Sequence, residues 1–106
     1  MRIITLEKTC DMCPEQYWAH SGAKTIGYIR LRWGRLTCDY LPTGRPKLAD
    51  NNIRVLEHLF RDKNDEYKGC FNTEEERKEW LDKCKAALMK EYLKHKNRRT
   101  KICQVD

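Results

Sequence analysis

No stretch of the 106-residue chain approaches the ~18 consecutive apolar residues that a membrane helix needs, so none is expected. The opening residues MRIITLEKTC lack the apolar segment of a secretory signal, and the expected compartment is the cytoplasm. Catalytic signatures are missing as well: there is no G-x-S-x-G, H-E-x-x-H, Walker loop or G-x-G-x-x-G. His20, His58 and His95 are scattered, and none has a local partner of the kind a general base requires. A non-enzymatic protein without a cofactor is therefore expected. Disorder is excluded by a hydrophobic content of 40%, which includes three Trp, five Tyr and two Phe. The length suits one domain with a single core.

Six cysteines are present, but C-x2-C occurs only once, at Cys10 and Cys13, and no second C-x2-C or H-x3-H completes a zinc set. His20, Cys38, Cys70 and Cys103 are possible further donors, but none stands at a zinc-like spacing. The pair also does not open a helix in a βαβ setting, as a redox dithiol would. Reduced, unligated thiols are the expectation, with a zinc site at Cys10 and Cys13 as the weaker alternative.

What is present reads as strands followed by one helix. Residues 2–9, 15–20, 25–33 and 36–41 are strand-like, and 42–52 is a loop holding two prolines and a glycine. Placing Gly34 and Arg35 at the centre of a type II′ turn sets Trp33 opposite Leu36, Leu31 opposite Cys38 and Ile29 opposite Tyr40. One face of that hairpin is then apolar, and the other carries Tyr28, Arg30, Arg32, Thr37 and Asp39, with Arg30 opposite Asp39. Residues 53–60 fit either a strand or a helix. The strand is favoured because 61–66 then makes a turn and 66–71 a return strand.

Residues 73–97 form the clearest element. Thr73 and Glu76 make a capping box, acids fill the first turn and lysines the last. Trp80, Leu81, Cys84, Ala87, Leu88 and Tyr92 share one face at helical spacing. Glu74, Glu75, Glu76 and Glu79 are accounted for as helix N-terminal charge. The expected fold is α+β: an antiparallel meander with one face covered by a long C-terminal helix, a single domain over 1–97, and a weakly docked basic tail at 98–106.

Net charge is +6, carried as +3 over residues 1–50, −1 over 51–89 and +4 over 90–106. The uncovered sheet face would present Tyr28, Arg30 and Arg32, joined by Trp18 or Tyr17 and supported by Arg35, Arg45 and Lys47. Guanidiniums hold phosphates bidentately, and aromatics stack bases. Tyr28, Arg30, Arg32 and Arg35 are thus the candidate site for an anionic small molecule or nucleotide. Ala86, Met89 and Leu93 fall on the outer helix face, a candidate surface for a host protein or for a homo-oligomer. The basic tail KHKNRRTK makes nucleic acid a further candidate partner.

With CPEQYWAHSGAKTIGYIRLRWGRLTCDY and CFNTEEERKEWLDKCKAALM in view, the chain resembles small accessory proteins of phages and prophages over residues 8–41 and 66–93. The resemblance lies in organisation, a meander followed by one capped helix. It implies a protein that binds and neutralises a host component, either a protein or a nucleotide signal, and so counters a host defence.

Overall fold

In the computed structural model of the chain, residues 3–9, 13–45, 51–60 and 68–105 are described, with side chains through Lys96. Five strands, β1 (Thr5–Lys8), β2 (Glu15–Ser21), β3 (Lys24–Arg32), β4 (Arg35–Tyr40) and β5 (Ile53–Leu59), form one antiparallel sheet in the order β1-β2-β3-β4-β5. A single helix, α1 (Glu74–Val105), lies against one face and packs on β3, β4 and β5. The expected α+β meander with a covering helix is thus observed.

Residues 53–60 resolve as a strand because of a bulge. Cys38 pairs with Leu56 and Asp39 with Arg54, which leaves Val55 as an extra residue. The bulge resets the alternation, so Leu56 and His58 turn inward while Glu57 turns out. A charge that breaks the simple period-2 pattern is thereby placed in solvent.

Of the expected return strand at 66–71, residues 66 and 67 lie outside the described residues, and 68–71 run as irregular chain. That segment serves as a connector. The Gly69 carbonyl accepts the Glu15 N–H at 2.7 Å, and the Lys68 carbonyl accepts the Gly34 N–H at 2.8 Å. A disulfide between Cys13 and Cys70, with Cα atoms 5.5 Å apart, ties it to the start of β2. The reduced-thiol expectation is therefore corrected for these two residues. Their sequence separation of 57 matches no motif, and only the fold brings them together. Closing a loop of that length restricts the unfolded chain by about 4 kcal/mol.

The helix begins as expected: the Thr73 hydroxyl accepts the Glu76 N–H at 3.0 Å. The Glu76 carboxylate reaches back to the Asn72 N–H at 3.0 Å and to the ammonium of buried Lys68 at 2.8 Å. The end differs from expectation. The helix runs on to Val105, so residues 98–105 are helical instead of a loose tail, and the last turn carries no basic residue.

The core lies between helix and sheet: Ile29, Leu31, Leu36, Cys38 and Tyr40 meet Leu81, Cys84 and Leu88. The hydrogen bond with Cys84, then burial, pushes the Cys38 thiol far above its ordinary value, so Cys38 stays neutral in the core. His58 stacks on Trp80 at 4.2 Å and His95 on Tyr40 at 4.9 Å, which makes both histidines packing groups. The helix packs tightly over Gly27, where an added Cβ would meet the Leu88 methyls at 2.6 and 2.7 Å and the Ala19 Cβ at 3.2 Å.

One buried cluster is polar. Glu15 is fully buried; its carboxylate accepts the Tyr17 hydroxyl, the Phe71 N–H at 2.7 Å and the Arg77 guanidinium at 2.8 and 3.0 Å. Burial alone would push the Glu15 carboxyl up. The hydrogen bonds from Arg77, Tyr17 and the Phe71 amide, with the charge of Arg77, outweigh it and hold the carboxyl below its ordinary 4.5.

Two outcomes follow from this packing. Gly27→Val should lower the unfolding free energy by roughly 1–3 kcal/mol in urea titrations, because branched methyls would be forced into Leu88. Trimming Leu88 to Ala in the same chain should cost less than it does alone. A carboxyl held low only in the folded state gives stability that is complete above its unfolded value and is lost as the pH falls through it. Urea midpoints should therefore drop as the pH falls below 4.5, and Glu15→Gln, less stable throughout, should show a shallower acid dependence.

Candidate functional site

The sheet face opposite α1 is left open, and its composition follows from the strand alternation. β3 contributes Tyr28, Arg30 and Arg32; β2 contributes Gln16, Trp18 and His20; β4 contributes Arg35, Thr37 and Asp39. Tyr17, the other aromatic considered for this face, is buried among the core residues.

The hairpin that carries the arginines is registered differently from expectation. Arg32 pairs with Arg35, Leu31 with Leu36, Arg30 with Thr37, Ile29 with Cys38 and Tyr28 with Asp39. Trp33 and Gly34 therefore form the turn, both with positive φ, 52° and 73°. That is the type I′ geometry, whose twist suits the flanking strands. The turn is fixed from outside the hairpin: the Gly34 N–H donates to the Lys68 carbonyl, and the Gly34 carbonyl accepts the Phe60 N–H at 2.7 Å. The inward set of Ile29, Leu31, Leu36, Cys38 and Tyr40 is the same in both registers, so the two faces stand as expected. Two details change. Trp33 leaves the core and is 63% exposed, and Arg30 no longer faces Asp39. Asp39 pairs instead with Arg54, which also binds Glu57. The Asp39 hydrogen bond raises the Arg54 pKa further, against the opposing effect of burial.

Arg30, Arg32 and Arg35 converge on one concavity of about 370 Å³, completed by Trp33, Thr37 and Leu59. The Arg32 guanidinium lies 4.3 Å from the centre of the Trp33 ring. Arg35 is shared with Glu57 at 3.5 Å, whereas among the described residues no carboxylate pairs with Arg30 or Arg32. Two guanidiniums therefore face solvent with open donor capacity beside an exposed indole. Such a set can hold a phosphate bidentately and stack a planar ring.

Tyr28 is on the same face but outside this concavity. Its ring packs against Trp18 with centroids 4.8 Å apart, and its hydroxyl donates to Gln16 at 3.1 Å. Arg45 is in the loop that follows the other end of β4, next to Gly44, and does not line the concavity. Lys47 lies outside the described residues. Trp33 is the residue that sequence reasoning missed. Reading Trp33-Gly34 as the X-Gly pair of a type I′ turn would have found it.

The other candidates separate as follows. Cys10 lies outside the described residues, and the sulfur of Cys13 is committed to Cys70, so Cys13 offers no thiolate to zinc. Cys38 is buried in the core. Met89, expected on an outer helix face, is partly buried against the core, because that side of α1 still leans on the sheet. Leu93 is 42% exposed and Ala86 is exposed. His20 bonds Glu7 at 2.9 Å and Thr25 at 3.0 Å, at the far end of the open face. Glu74 pairs with Arg77 and Glu76 with Lys68, as helix-terminal and packing charges. No helix among the described residues is long and apolar enough to cross a membrane. No family model, curated protein or solved structure matches the chain.

The turn geometry carries its own test. A non-glycine residue in the left-handed region costs about 1–2 kcal/mol, and the Arg32–Trp33 stacking returns about 0.5–1 kcal/mol of that. Trp33→Asn, which creates the Asn-Gly pair favoured in this turn, should raise the unfolding free energy by roughly 0.5–1 kcal/mol in urea titrations. A native tryptophan that lowers stability at an exposed position is the signature of a residue kept for contact.

Proposed function

We propose that this chain is a non-enzymatic binding protein for a phosphate-bearing, nucleotide-type anion, held in the concavity formed by Arg30, Arg32, Arg35 and Trp33. The observation that carries this reading is the convergence of three guanidiniums and one exposed indole on a single hollow, with Arg30 and Arg32 paired to no carboxylate among the described residues. Arg30 and Arg32 meet the phosphates, the Trp33 ring stacks the base, and Arg35 adds charge while tethered to Glu57. Tyr28 belongs to the same face as a neighbouring platform. The phosphate binder draws support from what the site contains and also from what surrounds it: a rigid sheet holds three of these residues, and preorganised groups lose less entropy on binding.

The resemblance over residues 8–41 and 66–93 supports a wider setting: a phage or mobile-element accessory factor that sequesters a nucleotide signal of host defence, in the host cytoplasm. The Cys13–Cys70 disulfide bears against that compartment, since cytosolic thiol pools keep such pairs reduced. Counting free thiols on protein taken from its native cell decides between them. Inhibition of a host protein through Met89 and Leu93 is less supported, because Met89 is engaged with the core.

The direct experiment is calorimetric titration with nucleoside mono-, di- and triphosphates and with inorganic pyrophosphate. Each charge-assisted hydrogen bond removed costs about 1.5–3 kcal/mol. The double variant Arg30→Ala, Arg32→Ala should therefore weaken binding about a hundredfold or more. Its unfolding free energy should fall by no more than the about 0.5–1 kcal/mol of the Arg32–Trp33 stacking, because neither side chain has an ion-pair partner among the described residues. Wild-type affinity in that variant, or no binding of any of these phosphates, would contradict the assignment.

A further inference from the structure

The open face holds a second aromatic platform in line with the first, and this bears on the size of the ligand. Tyr28, Arg30 and Arg32 are alternate residues of β3 and project from the same face. Trp33 stands at one end of this row, and the tilted Trp18–Tyr28 pair at the other. At ~3.3 Å per residue, Tyr28 and Trp33 are about 16 Å apart along the strand. A mononucleotide that puts its phosphate on Arg32 and its base on Trp33 leaves Arg30 half used and Trp18–Tyr28 unused. An extended single strand fills the row: a base on Trp33, phosphates on Arg32 and Arg30, and a later base on the Trp18–Tyr28 pair.

The rest of the face is consistent with such a track. Among the described residues, the acids beside it are already engaged: Asp39 and Glu57 with Arg54, Glu57 also with Arg35, and Glu7 with His20. Asp39 and Glu57 thus present paired charge next to the row, and Glu7 is hydrogen-bonded to His20. The helix covers only the opposite face, so no element among the described residues blocks passage across this one. Aromatics set along an antiparallel sheet with arginines between them bind unpaired bases by stacking, with little dependence on sequence.

Resting on the phosphate-site reading above, we infer that the physiological ligand is a short single-stranded oligonucleotide of about three or four residues. It spans the row from Trp33 to the Trp18–Tyr28 pair.

The test uses 5′-phosphorylated thymidine oligonucleotides of one, two, four and eight residues, which lack stable self-structure. Binding is read by anisotropy and by quenching of tryptophan fluorescence. Affinity should rise tenfold or more between one and four residues, as the second base finds its platform, and level off between four and eight. The tetranucleotide should quench two emitters, Trp18 and Trp33, while Trp80 lies on the helix side of the sheet, partly buried against the core. In Trp33→Asn the remaining quenching comes from Trp18. Trp18→Leu, which keeps an apolar side chain at that position, should remove the length gain. Binding of equal strength at every length, still lost in Arg30→Ala, Arg32→Ala, would overturn this inference and leave the phosphate site standing. Binding of no length, or binding indifferent to those two arginines, would overturn the phosphate site itself. The wild-type length series needs no variant, so a poorly folding Trp18→Leu does not blunt the test.

Discussion

The carboxylate of Glu15 holds three separate parts of the chain in one place. It opens β2, pairs in register with Leu31 of β3, and accepts hydrogen bonds from the 68–71 segment and from Arg77 in the first turns of α1. A buried charge of this kind is tolerable only when fully partnered, and removing one partner costs roughly 3–5 kcal/mol. No buried side-chain polar atom among the described residues lacks a partner. The cluster fixes where the helix begins relative to the sheet. The Cys13–Cys70 disulfide and the Lys68–Glu76 pair reinforce the same junction.

The candidate site depends on that junction. Lys68 and Gly69 are neighbours in the connector; one bonds the Trp33-Gly34 turn and the other bonds Glu15. The turn that carries the exposed indole is therefore braced by the same backbone that the buried carboxylate locks. Loops that bind ligands are usually less stable than the scaffold beneath them. Here the rim is tied to the buried polar cluster that joins sheet and helix. Arg30, Arg32 and Arg35 stand on strands next to that turn, so a rigid sheet fixes their separation before any ligand arrives.

Much of the fold was legible in the sequence. The apolar alternation of Ile29, Leu31, Leu36, Cys38 and Tyr40, the Thr73 cap and the helical stripe around Leu81, Cys84 and Leu88 are local patterns, and each folds as read. The inward and outward faces of the hairpin also stood, because a change of turn that shifts both strands together keeps side-chain parity. What could not be read depends on distance. The register of the arginine hairpin is chosen by bonds to residues 60 and 68, the partner of Glu15 is Arg77, and Cys13 meets Cys70 across 57 residues. A single sequence carries no local trace of such pairings. The bulge at Val55 hid the alternation of β5 for a related reason: the extra residue is accommodated only against β4.

The central claim is that phosphate-bearing ligands bind at Arg30 and Arg32 on the open face, and it can be read most directly at the guanidiniums themselves. In ¹⁵N–¹H spectra of the arginine Nε–H groups, thymidine 5′-triphosphate should shift and sharpen the resonances of Arg30 and Arg32, with a smaller change at Arg35. Arg54 and Arg77, already committed to carboxylates, should stay in place. Perturbation confined to other residues, or a spectrum unchanged at saturating nucleotide, would contradict the account.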